Sequence, residues 1–308
     1  MKRKDLTLSV ILEEMHPGIQ LRTINEQPFE VLALATQSVD FKTCVFVASS
    51  EFVEDLPDNV AMVLTTSELV KDLTDRSFGL CVVEDPKNTF FELHNHLSKT
   101  GQLKRDSFRS MIDESASVHP LSSVASHNVR IGKNVIIEEF VVIRENTTIG
   151  DNSIIRAGAV IGGVGFEFKN TGEIVIPVAH DGGVIIGEYV EIQQNSCVDR
   201  GIYVWDDTVV GDHSKIDNFV YVAHGVKIGK RVLSTAGVIY GGRDVIKDDV
   251  WAGLNVSTRN AITIGKGARL NMGAVVTQDV PDYGSVTGNF AIDHEEFIAR
   301  LKRDRKKK

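Results

Sequence analysis

Asp206, His224 and Gly242 follow one another at intervals of 18 residues, and their types suit proton transfer at a carbonyl centre. Histidine titrates near neutrality and is the natural general base. A carboxylate holding one ring nitrogen would fix the tautomer and raise the basicity of the other. A glycine N–H with no side chain in the way would suit the oxyanion of an acyl-transfer intermediate. Glu188 and Asn260 extend the same column below and above. A corner histidine satisfied by solvent and a neighbouring carboxylate would show the same spacing, so spacing alone leaves both readings standing. His16, His94, His96, His119, His127, His180, His213 and His294 join no such constellation and are expected in structural or surface roles. A shared metal would need about three histidines within reach. His213 and His224 lie off the common period with no third nearby, so no metal is expected.

An interval of 18 matters because of the element that must carry it. From Ile186 to Val276, residues at every sixth position are Ile, Val or Leu, apart from Ser234, Tyr240, Ala252 and Thr258. Glycine often follows the slot, as at 187, 211, 229, 241, 253 and 265. Neither a helix nor an ordinary strand has this period. A three-sided, left-handed parallel β-helix does: each short side supplies one inward aliphatic per hexad, and glycine relieves the corner. Three sides make a coil of 18, so residues 18 apart should lie directly above one another. The hexad starts at Val118 and Val124, takes one inserted residue, and resumes from Ile131 to Ile161.

Residues 1–112 lack the hexad. Apolar runs such as TCVFVAS and VAMVLTT alternate with helix-like stretches, and Phe90, Phe91, Leu93 and Leu97 approximate a helical stripe. This reads as a small α/β domain. Residues 113–284 are the β-helix, broken by an insert at 162–183 whose Phe166, Phe168 and paired glycines suggest a projecting loop or hairpin. Residues 285–308 read as a short helix and a basic end, with seven Lys or Arg among the last nine positions. That end is either a solvated terminus or a docking patch for an acidic partner. The net charge of −8 argues against nucleic acid. Three scattered cysteines suit a reducing compartment, and no segment could span a membrane, so a soluble cytoplasmic protein is expected. Flat, aliphatic-backed prism faces predict a cyclic homotrimer with clefts between subunits.

Several stretches carry a family resemblance: GGVGFEFKNTGEIVIP, GVIIGEYVEI, SCVDRG, VWDDTVVGD and KIDNFVYVAHGVKIG. Together they resemble the UDP-3-O-acylglucosamine N-acyltransferases of lipid A biosynthesis, within the wider hexapeptide acyltransferases. The resemblance extends over nearly the whole chain. It implies that His224 is the general base, that the Gly242 amide stabilises the oxyanion, and that Asp206 falls under the base. It places Asp217 and Asn218 near the substrate. In the N-terminal domain, FVASSEF matches a uridine-binding segment, giving Phe46 and Phe52 as the pair that holds uracil by stacking. Two core aromatics would read the same way. Ser-Ser-Glu replaces the family's Asn-Pro-Lys there, and Asn260 and Ala261 stand where some members have a second histidine.

The implied reaction is N-acylation of a UDP-linked amino sugar by a phosphopantetheine thioester of acyl carrier protein or CoA. The thioester is a co-substrate, and no bound cofactor is expected. Phe166 and Phe168 would border the sugar or acyl chain, Gly253 and Asn260 the donor cleft, and the basic tail would meet a carrier protein. GAVVTQDVPDYGSVTGNFA resembles acetyl-CoA-using sugar acyltransferases, which leaves a short-chain enzyme of O-antigen or capsule synthesis as one alternative. A non-catalytic scaffold that binds sugar nucleotides is the other.

Overall fold

The computed structural model describes residues 5–74, 76–288 and 291–305. The N-terminal sheet comprises β1 (Arg22–Ile24), β2 (Val31–Leu32), β3 (Thr43–Val47), β4 (Val60–Thr65) and β5 (Gly79–Val82), in spatial order β1-β5-β4-β3-β2. All neighbours are parallel except β1 and β5. β4 is buried along its whole length, because helices or loops cover both faces of the sheet. Two helices complete its main core, α1 (Leu8–Met15) and α3 (Pro86–Thr100), with the short α2 (Val70–Leu73) between them in sequence. Helix α3 starts at Asp85, whose side chain accepts from the Asn88 N–H, has Pro86 at its first turn, and stops at left-handed Gly101. The expected stripe of Phe90, Phe91, Leu93 and Leu97 is buried.

From Met111 to Val286 the chain winds as a parallel β-helix of three faces, each a ladder of two- to four-residue strands. Inward Ile, Val and Leu form one continuous core, from Val129 to Val280. Left-handed corner residues recur every six positions: Asn128, Asn134, Phe140, Asn146 and Asn152. Asparagine tolerates that conformation, and these stack, with Asn128 donating to Asn146 and Asn134 to Asn152 at 3.1 Å.

The coil length is not uniform. It is 19 residues at the start, as the inserted residue requires, with Val118 against Ile137. It becomes 37 across the insert, where Ile161 lies against Val198. Next comes a coil of 24, with Ile192 against Ile216 and Val198 against Val222. Elsewhere 18 holds: below the insert, with Ile137 against Ile155, and above the excursion, from Val210–Ile228 up to Thr258–Val276. The insert contains an antiparallel hairpin, Phe168–Asn170 with Val175–Pro177.

The extra hexad at 200–205 leaves the prism, and this corrects two expectations. Val204 is buried, yet in the N-terminal domain's core beside Phe90 and Leu32 rather than inside the solenoid. Glu188 lies under Asp212, donating its N–H to that carboxylate at 3.0 Å, not under Asp206. The hexad count survived because the excursion happens to be six residues long. A side chain at Gly201 would collide with the Asp206 carbonyl oxygen, so the loop closes only with glycine there.

Both excursions dock the α/β domain. Val178, Ile202, Tyr203 and Val204 join its core. Trp205 Nε1 donates to the Leu32 carbonyl at 2.9 Å and stacks on Tyr203. Asn95 of α3 donates to the Pro177 carbonyl and accepts from the Ala179 N–H, and Ser98 donates to Asp181. Helix α4 (His294–Arg305) follows the solenoid, acidic in its first turn and basic in its last, as its dipole favours. Lys306–Lys308 of the basic tail lie outside the described residues. No described helix is long and apolar enough to cross a membrane.

Candidate active site

His224 occupies a prism corner two residues beyond inward Val222, and only 8% of it is exposed. Above it the 18-residue rule holds. The Arg243 N–H donates to the His224 carbonyl at 3.0 Å, and the Ala261 N–H to that of Gly242 at 2.9 Å. A Cβ at Gly242 would stand 2.7 Å from His224 Cε1, 2.8 Å from Nε2 and 3.3 Å from Nδ1. The imidazole therefore lies flush under this glycine, and any larger residue would displace it. Among the described residues no acceptor engages the Gly242 N–H. Asn260 continues the column one coil higher.

Below, the expectation needs correcting. Asp206 lies at the foot of the column, its Oδ2 beside Gly225, but it makes no bond to the histidine. Its carboxylate is taken by Lys227 at 2.7 Å and approached by Arg243 Nε at 3.9 Å. The carboxylate that meets the ring is Glu167 of the insert, with Oε2 3.3 Å from His224 Nε2. Burial works to raise the Glu167 pKa, but the bonds to His224 and Lys169 outweigh it and hold the group down at about 2. Lys169 is itself anchored on the N-terminal domain, 4.3 Å over the Phe91 ring. A carboxylate on Nε2 makes that nitrogen the donor, which leaves the lone pair on Nδ1, buried and unpartnered.

His180, expected in a structural role, belongs here too. Its ring meets His224 edge-on at 80°, with centroids 5.8 Å apart. Nδ1 lies 2.9 Å from the Val178 carbonyl, while Nε2 is buried without a partner. Burial lowers its pKa to about 4. Asp199 and Tyr221 complete the cluster: the tyrosine hydroxyl donates to Asp199 Oδ2 at 2.6 Å, and burial raises the aspartate's pKa. Glu167, His180, Asp199 and Tyr221 escape any fixed-interval reading, because the coils of 37 and 24 residues put them off the 18-residue count. Recognising that Val198 pairs with Val222 would have placed Asp199 under this corner.

Other expected residues are dispersed. Asp217 and Asn218 sit one corner earlier on the prism and serve the turn: Asp217 accepts from the Asn218 N–H and Asn218 from the Gln194 N–H. Gly253 lies on that same corner column, its N–H bonded to Leu270. Phe166 and Phe168 form an exposed pair, rings 4.8 Å apart, at the base of the insert hairpin. Phe46 packs on Phe90 and Phe91 at 5.1 and 6.1 Å, while Phe52 is exposed on a short 3₁₀ turn. No ring contact joins these two. No group of three or more His, Cys, Asp or Glu among the described residues could hold a metal ion.

Residues 128–163 match the family described as bacterial transferase hexapeptide (six repeats). The chain carries the hexapeptide repeat over that stretch. Similar proteins include the UDP-3-O-acylglucosamine N-acyltransferase of Caulobacter sp. (strain K31), 39% identical over 134 residues, or 44% of this chain and 39% of that one. The enzyme of the same name from Pseudomonas fluorescens (strain SBW25) is 41% identical over 112 residues, 36% of this chain and 26% of that one. The chain thus spans under half the length of these curated relatives. Among solved structures, the UDP-N-acetylglucosamine acyltransferase from Campylobacter jejuni aligns with a TM-score of 0.51 at 21% identity, covering 63% of this chain and 80% of that one. That likeness concerns the fold alone. The resemblance seen in the sequence is borne out, over a shorter stretch than the motifs suggested.

Proposed function

We propose that the protein is an N-acyltransferase that moves an acyl group from a phosphopantetheine thioester, on acyl carrier protein or CoA, to the amine of a UDP-linked amino sugar. The observation that carries this reading is the imidazole of His224, held by a carboxylate and lying directly beneath the unengaged Gly242 amide. The names of the curated relatives agree with it.

In this mechanism the acceptor ammonium first loses a proton to solvent. The amine then attacks the thioester carbonyl, forming the C–N bond and pushing an electron pair onto oxygen, where the Gly242 N–H receives it. His224 Nδ1 takes the surplus proton from nitrogen and hands it to sulfur as the C–S bond breaks, leaving an amide and a free thiol. Glu167 fixes the tautomer that makes Nδ1 the base. Phe46 and Phe52 hold the uracil ring, and Phe166 and Phe168 border the sugar or acyl chain. Asp217, Asn218 and Gly253, one corner away from His224 on their own subunit, approach the substrate or donor arm across the cleft of a homotrimer, and Asn260 flanks that arm above Gly242. Outward aliphatics on the prism faces, such as Leu233, Ile239 and Val245, suit subunit contact. The basic end following α4 would meet an acidic carrier protein.

Mass spectrometry of products from UDP-amino sugars crossed with acetyl-CoA, longer acyl-CoAs and hydroxyacyl carrier protein tests the reading. A long-chain amide formed from carrier protein is expected. Turnover of acetyl-CoA alone would move the assignment to the short-chain alternative, and no amide with any donor would overturn it.

A further inference from the structure

His180 and Asp199 are each more than nine-tenths buried, and neither is used by the mechanism above. The Val178 carbonyl can only accept, so His180 Nδ1 carries the hydrogen and Nε2 presents a lone pair. That lone pair has no donor. A Cβ on Gly165 of the insert would lie 3.2 Å from His180 Nε2 and 2.9 Å from Asp199 Oδ2, so both acceptors converge on one side of this residue. Among the described residues, the Tyr221 hydroxyl is the one side-chain donor on Asp199. Glu167 stands nearby on the same face of His224, paired with Lys169, whose ammonium also lies over the Phe91 ring. A buried ring nitrogen without a donor, such as His180 Nε2, is costly unless a ligand supplies one, and Asp199 Oδ2 keeps a second lone pair beside it. The complementary ligand carries several N–H donors and a positive charge.

We propose that His180 Nε2 and Asp199 Oδ2 together receive the ammonium group of the acceptor, and so select a primary amine over a hydroxyl. An ammonium satisfies both atoms and keeps a third hydrogen for release, whereas a hydroxyl has a single hydrogen and leaves one acceptor bare. Seating the group between these atoms requires the Gly165 backbone to move outward. Burial keeps His180 neutral at physiological pH, which preserves its lone pair for this role. The inference rests on the acyl-transfer reading for the identity of the amine but not for the existence of the pocket.

Calorimetric titration of the full chain with UDP-hexosamines bearing the amine at C2, C3 or C4, against UDP-glucose, tests it. The preferred amino sugar should bind at least about tenfold more tightly than UDP-glucose, the scale of a hydrogen bond to a charged group. His180→Phe and Asp199→Asn should each bring the two affinities together. A wild-type chain without preference, or a preference kept by both variants, overturns the pocket. A preference that behaves as expected without any amide product would overturn the acyl transfer instead and leave the pocket standing.

Discussion

At the scale of single residues, His224 is defined by what presses on it. Removing the base in His224→Ala should slow acyl transfer by about 10²–10⁴-fold with circular dichroism unchanged. An unaltered rate would exclude the histidine from the chemistry. Gly242→Ala brings a methyl group to 2.7 Å from Cε1 and should abolish transfer while costing about 1–3 kcal/mol of stability, read from denaturant midpoints. Glu167→Gln keeps the shape but loses the charge; kcat should fall more than KM rises, and the pH optimum should shift. His180 gives a pH signature of its own. Its pKa of about 4 lies below the unfolded value near 6.5, so within that window the unfolded chain binds the extra proton. Stability should therefore fall by about 3 kcal/mol as the pH drops from 6.5 to 4, and His180→Phe should flatten that slope in urea titrations. An equal slope in the variant would mean that the ring is not buried as described.

At the scale of elements, the two excursions do the work that a regular solenoid could not. The insert carries Glu167, Gly165 and His180 to the face of His224, and the loop at 200–205 plants Tyr203 and Trp205 in the α/β domain. A single indole links the loop to β2 through the Leu32 carbonyl. Trp205→Ala should cost about 1–3 kcal/mol and expose the junction between the domains to limited proteolysis, with the solenoid's own unfolding little changed. Cleavage no faster than in the parent chain would show that the loop is not the anchor. The stripe on α3 was legible because amphipathic periodicity is written locally. Its partners Pro177, Ala179 and Asp181 were not, being some 80 residues distant and joined by hydrogen bonds that leave no period.

For the whole molecule, the outward faces of the prism carry the prediction about assembly. Faces with outward Leu233, Ile239 and Val245 predict a trimer by light scattering at micromolar concentration. Leu233→Glu should yield monomers that keep their secondary structure and lose activity, since the cleft is then incomplete; an active monomer would place the entire site within one chain.

The sequence by itself determined the β-helix, its start near residue 112, the inserted residue, the break at the insert, and the stacking of His224 under Gly242. All of these follow from a side-chain period repeated rung by rung, which needs no distant contact to be read. The tertiary structure alone decided which carboxylate holds the histidine, where Val204 goes, and that His180 and Asp199 share a site. Those outcomes depend on coils of 37 and 24 residues and on packing between segments far apart in the chain, where the periodicity carries no information.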